Sequence, residues 1–205
     1  EDTLSLHDAL PILAQTKPPI KVANIVELSG SGATAGTNAK NGIELAVKEI
    51  NATGGVAGRQ LKVDFIDSHL NPNDTRNAII TACGQDLSMV STATALFTGL
   101  SDLTGCKDKA GQATGLPDIG SIVLGTPQAC APTSFPVIPS MIDCSTVGKN
   151  PQTYRTNQGV FKYLAKQNKN LHGPFIKTSD SPDAARSTDA LAAGAKNAGI
   201  DVTSM

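Results

Sequence analysis

From Ile20 onward the chain alternates between short β-rich runs and longer segments in which apolar residues recur at helical spacing. Ile20–Leu28 (IKVANIVEL) is almost continuously apolar, the pattern of a strand covered on both faces. A loop of small residues follows, Ser29–Gly36 (SGSGATAG). Ala39, Ile43, Ala46, Val47 and Ile50 then mark one face of a helix, with Glu44 and Lys48 spaced i,i+4 on another, and Gly54–Gly55 ends it. Gln60–Asp67 (QLKVDFID) alternates as a second strand, and Pro72–Asp74 opens a second helix, capped by Asn73 or Asp74 and running to about Asp86. A third strand is predicted over Ala93–Thr98, then a loop over Gly99–Thr104 before a short helix containing Cys106. A fourth strand is predicted over Leu116–Ile119, continued after a break at Ile122–Leu124, and Phe135–Pro139 reads as extended and proline-punctuated. Beyond it come a helix over Gln158–Gln167, a strand over Pro174–Lys177, a helix over Pro182–Ala198 and the start of a strand over Ile200–Thr203.

Strands alternating with helices build βαβ units, so the expected fold class is α/β with a doubly wound parallel sheet. In open sheets of this kind ligands lie outside the C-terminal ends of the strands. Three loops then carry the candidate site: Ser29, Gly30, Ser31, Gly32 and Ala33 after the first strand, Ser101 and Asp102 after the third, Gly120 and Ser121 after the fourth. Small residues let the backbone approach a ligand, and N–H groups at a helix N-terminus favour an anionic group. The first loop also admits two other readings, a flexible turn and a dinucleotide site. Its glycines, Gly30, Gly32 and Gly36, run G-x-G-x-x-x-G, one residue longer than the dinucleotide fingerprint. Asp67 lies farther downstream than the usual spacing of about 20 residues for a ribose-binding acid.

Composition narrows the function classes. The chain has 205 residues, 40% hydrophobic and 17% charged, which is globular rather than disordered. A net charge of −1, only 3% aromatic residues and no basic stretch argue against a nucleic-acid partner. No apolar run approaches the roughly 20 residues that span a bilayer. The four cysteines, Cys83, Cys106, Cys130 and Cys144, form no CxxC pair, and His7, His69 and His172 sit far from them in sequence, so no metal site is expected. An even count leaves two disulfides in an oxidising compartment or four buried thiols. There is no GxSxG, HExxH, P-loop or spaced carboxylate pair, and His69 reads as a surface-loop residue, so neither catalysis nor a cofactor is expected.

The segment Leu28–Leu61 (LSGSGATAGTNAKNGIELAVKEINATGGVAGRQL) resembles the opening of type I periplasmic solute-binding proteins of the leucine/isoleucine/valine receptor family. The likeness rests on Asn41–Asn51, Gly54–Leu61, the acidic strand end Asp67 and Asn71–Asn77 (NPNDTRN), and is strongest over this first third. Gly115–Pro117 and Gly159–Ala165 fall where that family has similar elements. The resemblance implies a two-lobed, non-enzymatic receptor that feeds the membrane subunits of an ABC importer from outside the cytoplasm. It implies that loops after the third and fourth strands hold the α-carboxylate and α-ammonium of an amino-acid ligand. Ser101 is then a donor to the carboxylate, and Asp102 a partner for the ammonium or else a helix cap. It also implies a Cys83–Cys106 disulfide, which leaves Cys130–Cys144 to close a loop near the lobe crossing. Family members are longer, so residues 18–139 are expected to form the N-terminal lobe and 140–205 the start of a truncated second one. Thr3–Ile12 (TLSLHDALPI) matches the translation of a common sequencing adapter, so residues 1–17 are expected to be a non-native tail and the native signal sequence to be missing. The alternatives are a nicotinamide- or nucleotide-binding Rossmann-type enzyme and the ligand-sensing domain of a receptor or regulator.

Overall fold

The computed structural model describes residues 17–94, 97, 99–121, 123, 125–138, 140–149, 153, 155–156, 158–177 and 182–204. The adapter-like segment Thr3–Ile12 lies outside them, as do Ile122, Leu124 and Pro139. Strand β1 (Ile20–Val26), helix α1 (Ala33–Ala52), strand β2 (Leu61–Asp67) and helix α2 (Pro72–Gln85) follow one another as the hydrophobic pattern predicted. Next come β3 (Met89–Val90), α3 (Leu100–Thr104), β4 (Asp118–Ile119) and α4 (Thr126–Ala129). A second unit holds α5 (Gly159–Gln167), β5 (His172–Phe175), α6 (Pro182–Asn197) and β6 (Asp201–Ser204).

The first sheet is parallel throughout, in the order β2-β1-β3-β4. From β1 the chain steps to β2 on one side, and from β2 it crosses back to β3 on the other. Right-handed crossovers in opposite directions put α1 and α2 on opposite faces, so the sheet is doubly wound. Its core is Ala23 and Ile25 of β1, Ala78, Ile79 and Ala82 of α2, Met89 of β3, and Leu103, Cys106 and Leu116. Asn24 is the polar exception inside the apolar run of β1. It is fully buried, and its side-chain amide donates to the carbonyls of Val90 and Ser91 at 2.9 and 3.1 Å. The second unit is a parallel pair, β5 and β6, covered by α6, with Ala192, Ala195, Ile200 and Val202 inside.

Several elements differ from the sequence expectation, each for a local reason. The third strand is Met89–Val90 rather than Ala93–Thr98, of which residues 95, 96 and 98 lie outside the described residues. Ser91 adopts a left-handed φ of 51° just after β3, and Ala93 rejoins β1 only through a single bridge to Val26. A kink of this kind is invisible in a run of β-favouring residues. Ser101 and Asp102 are therefore not in a loop but in α3, and Gly105 ends that helix before Cys106, which was expected inside it. Helix α1 begins at Ala33, directly after a 3-10 turn at Gly30–Gly32, so the small-residue loop is shorter than its composition implied. Asn71, rather than Asn73 or Asp74, caps α2, its side chain accepting the N–H groups of Asn73 and Asp74 at 2.8 and 3.3 Å. The fourth strand is only Asp118–Ile119 within the expected Leu116–Ile119, because Leu116 turns into the core and its N–H donates to Leu103. Phe135 and Val137 run extended beside β4, donating to the carbonyls of Asp118 and Gly120. β5 starts two residues before the expected Pro174–Lys177.

Two disulfides brace the chain: Cys83–Cys106, with Cα atoms 5.7 Å apart, and Cys130–Cys144, at 5.5 Å. The first ties the end of α2 to the segment after α3. The second closes a short loop between α4 and the 3-10 turn at Cys144–Thr146.

Candidate ligand-binding site

The order β2-β1-β3-β4 has its topological switch point between β1 and β3, the two central strands from which the chain winds outward in opposite directions. The crevice beyond their C-terminal ends is where an open α/β sheet binds ligands. On the β1 side, Gly36 is the buried residue of α1, and a Cβ there would overlap the carbonyl of Glu27. The glycine thus lets α1 lie directly against the chain leaving β1, which fixes the intervening turn close to the sheet. Gly30 within that turn has a φ of 68°, a conformation that disfavours any side chain. The N-cap residues Ser29 and Gly32 make no side-chain cap bond to the 3-10 turn or α1, and the Glu27 side chain lies beside Gly32. The first N–H groups of this helical run, at Gly30–Gly32, therefore have no intrahelical partner and carry the positive end of the helix dipole at the sheet edge.

Asp67, at the end of β2, supports that turn. Its Oδ1 accepts the N–H groups of Leu28 and His69, both at 2.9 Å. Burial pushes the Asp67 carboxyl up, but the N–H groups of His69 and Leu28, the Ser29 side chain and the charge of the His69 ring together outweigh it and hold the group below its usual value. On the β3 side, Thr94 is buried just past the Ala93–Val26 bridge, and its hydroxyl has no partner among the described residues. Sequence reasoning missed Thr94 because it fell inside an expected strand. Its position at a switch point becomes visible only once the strand order is known.

At the exit of β4, Gly120 is buried and Ser121 half-buried. The Ser121 N–H donates to the Thr92 carbonyl at 3.1 Å, and its hydroxyl is shared between the carbonyls of Ser91 and Thr92 at 3.3 Å each. Beneath them Asp118 is fully buried, receiving the Gln128 side-chain amide on Oδ2 at 2.7 Å. Burial pushes the Asp118 carboxyl up, and the side chains of Gln128 and Thr92 offset only part of that. Ser29–Ala33 and Gly120–Ser121 thus share one edge of the sheet. Ser101 and Asp102 face elsewhere. Asp102 is paired in a fork with Arg76 of α2, at 2.7 Å from Nε and 3.2 Å from Nη2. Ser101 is exposed beside Ile80, Gly84 and the Cys83–Cys106 bridge, around a hollow of about 380 Å³. A larger hollow, about 700 Å³, lies at the opposite edge of the sheet among Pro19, Lys21, Arg59, Asp86 and Lys107. Among the described residues no cluster of three His, Cys, Asp or Glu side chains is placed to hold a metal ion, and no helix is long and apolar enough to cross a membrane.

The profile of the periplasmic binding protein family matches residues 19–204. No curated protein sequence matches the chain significantly. Among solved structures, the type 1 periplasmic binding protein from Bordetella pertussis Tohama I is similar at 19% identity and a TM-score of 0.59, over 91% of this chain and 49% of that one. An ABC transporter substrate-binding protein from Desulfitobacterium hafniense in complex with Leu is similar at 17% identity and a TM-score of 0.61, over 92% and 50%. A fatty acid ABC transporter substrate-binding protein from Thermomonospora curvata is similar at 16% identity and a TM-score of 0.55, over 93% and 44%. These likenesses are of fold, and the chain spans about half the length of each of these structures or less. With a doubly wound parallel sheet and a family profile matched from before the first strand to the end of the last, the chain belongs to the periplasmic binding protein family, with the type I fold.

Proposed function

We propose that the chain is the N-terminal part of an extracytoplasmic solute receptor that captures an amino acid or similar small polar ligand between two lobes and delivers it to the membrane subunits of an ABC importer, without chemistry of its own. Residues 18–139 form the first lobe and 140–205 begin the second. The observation that carries this reading is the small-residue helical turn Gly30–Gly32 at the switch point, whose N–H groups have no intrahelical partner, held there by Gly36 and Asp67. Such a cluster receives a carboxylate without needing a basic side chain. The buried hydroxyl of Thr94, without a partner among the described residues, supplies a neighbouring acceptor for the ligand's ammonium end. Both disulfides fit an oxidising compartment.

The ligand class is tested by calorimetry on the full-length receptor containing this chain, with leucine, isoleucine, valine, a long-chain fatty acid and NAD. The reading predicts a saturable response to at least one amino acid, weakened in Ser29→Ala and unchanged in Ser101→Ala, since Ser101 lies on the α2–α3 flank. A fatty-acid response without an amino-acid response would keep the receptor and change its ligand. Tight NAD binding with no response to any amino acid would overturn the receptor reading in favour of a nucleotide-binding enzyme. The 205-residue chain alone lacks contacts from most of the second lobe. Each lost hydrogen bond to a charged ligand group is worth roughly 1.5–3 kcal/mol, so two or three absent contacts weaken binding by about a thousandfold or more.

A further inference from the structure

We infer that Asp67 is the positioning residue of the ligand-binding corner: its carboxylate fixes the course of the chain leaving β1 and so where the N–H groups of Gly30–Gly32 stand. The inference rests on the receptor reading above and adds to it a residue that needs no contact with the ligand.

The ladder between β1 and β2 runs in register from Ile20–Leu61 to Val26–Asp67 and is closed by the N–H of Ser68 donating to Val26. Past that point the two chains part. The β1 chain turns towards Gly30, and the β2 chain turns through His69 and Leu70, both left-handed with φ near 50°. Leu28 then has no neighbouring strand to receive its N–H, and an unpaired amide in a half-buried place is costly. Asp67 Oδ1 receives it and also receives the N–H of His69, so a single side chain ties both departing chains together. Oδ2 lies 3.5 Å from His69 Nε2, while His69 Nδ1 lies 3.2 Å from Asp74 Oδ2, which stiffens the carboxylate from the α2 side. Hydrogen bonds to an ionised acceptor are shorter and stronger than neutral ones, so charge on Asp67 is part of the device. Ser29 is the next residue along from Leu28 and its side chain helps hold the Asp67 charge. On the receptor reading, that leaves the backbone N–H groups of Gly30–Gly32 as the groups offered to the ligand, the Ala33 N–H being bonded to the Gly30 carbonyl.

The test is amide-resolved NMR on the 205-residue chain, as wild type, Asp67→Asn and Asp67→Ala, each without ligand and with L-leucine as the probe. Without ligand, the Leu28 and His69 amides of the wild type should titrate together, with one midpoint below the usual aspartate value, and this common step should vanish in both variants. The groups that share this surrounding, His69 and Asp74, are distinguished by their own side-chain signals. With leucine, the response at Gly30–Ala33 should fade across the same midpoint. The apparent affinity should drop about threefold in Asp67→Asn, which keeps an acceptor oxygen, and about tenfold or more in Asp67→Ala. Independent midpoints for Leu28 and His69, or a folded Asp67→Ala that keeps wild-type affinity, would overturn the assignment. A wild type with the common midpoint but no leucine response would support the Asp67 device, and the same titration on the full-length receptor, if it too gave no amino-acid response, would remove the amino-acid reading.

Discussion

The corner where β1 leaves the sheet and the corner where β4 leaves it occupy one edge of the same fold, yet their polar groups are committed in opposite ways. At the β1 exit the side chains serve the backbone: Asp67 takes the N–H groups of Leu28 and His69, and the N–H groups of Gly30–Gly32 have no intrahelical partner. At the β4 exit the donors are already committed: Ser121 donates to Ser91 and Thr92, and the Gln128 amide donates to buried Asp118. The third candidate pair lies off this edge altogether, because Asp102 is forked to Arg76 and Ser101 borders the disulfide. On the proposed reading, receptivity follows backbone donors at the start of a helical run, not the number of hydroxyls near strand ends.

The largest expected effect separates the β1 corner from the α2–α3 flank. Replacing Cys83 and Cys106 by Ala opens a loop with a sequence separation of 23 and should cost about 3 kcal/mol in chemical denaturation. Leucine-induced shifts at Gly30–Ala33 should survive at temperatures where the variant is folded, since no part of that corner touches the bridge. Their loss would couple the two regions. Next, Gly36→Ala places a Cβ on the Glu27 carbonyl and should cost about 2 kcal/mol, while moving the Gly30–Ala33 amides. Gly42→Ala on the same helix, where a Cβ meets nothing within 4 Å, is the control and should be neutral or stabilising.

The buried carboxylate of Asp118 and the half-buried one of Asp67 predict opposite pH slopes. Asp118 is raised by burial, so its ionisation opposes folding: its contribution is harmless below the unfolded value and destabilising as pH rises through the folded one. Asp118→Asn keeps an oxygen for Gln128 and should gain about 1 kcal/mol at pH 8, with no gain at pH 3. Asp67 is lowered, so it stabilises the fold above its unfolded value, and that contribution is lost as pH falls through the folded one. In Asp67→Asn the acid limb of the stability profile should flatten instead. Smallest of all, Arg76→Ala removes an exposed ion pair and should leave the melting temperature unchanged within error.

How much of this was legible in the sequence depends on element length. The long strands β1 and β2 and the helices α1 and α2 carry enough repeats for their periodicity to show, and the doubly wound class follows from them. β3 and β4 are two residues each, too short for any alternation, and they are positioned by Asn24 and by the kink at Ser91. A lone Asn inside an apolar run was a visible signal that some backbone across the sheet needed a donor. Asp67 showed only as an acidic strand end, because its role depends on the register that sets it opposite Val26. Ser101 and Asp102 were drawn to the site by a strand boundary placed too late, and their true surroundings are set by the packing of α3 on α2.

The central claim is that a small carboxylate-bearing ligand is received at the β1 exit by backbone N–H groups. Its most direct test is an amide shift map of the isotope-labelled chain with millimolar L-leucine, using L-leucinamide, which lacks the carboxylate, as the comparison. The account predicts shifts centred on Gly30–Ala33, extending to Thr94 and Gly120–Ser121, weak in affinity and absent with leucinamide. Shifts centred on Ser101 and the α2–α3 hollow, or an equal response to both compounds, would contradict it.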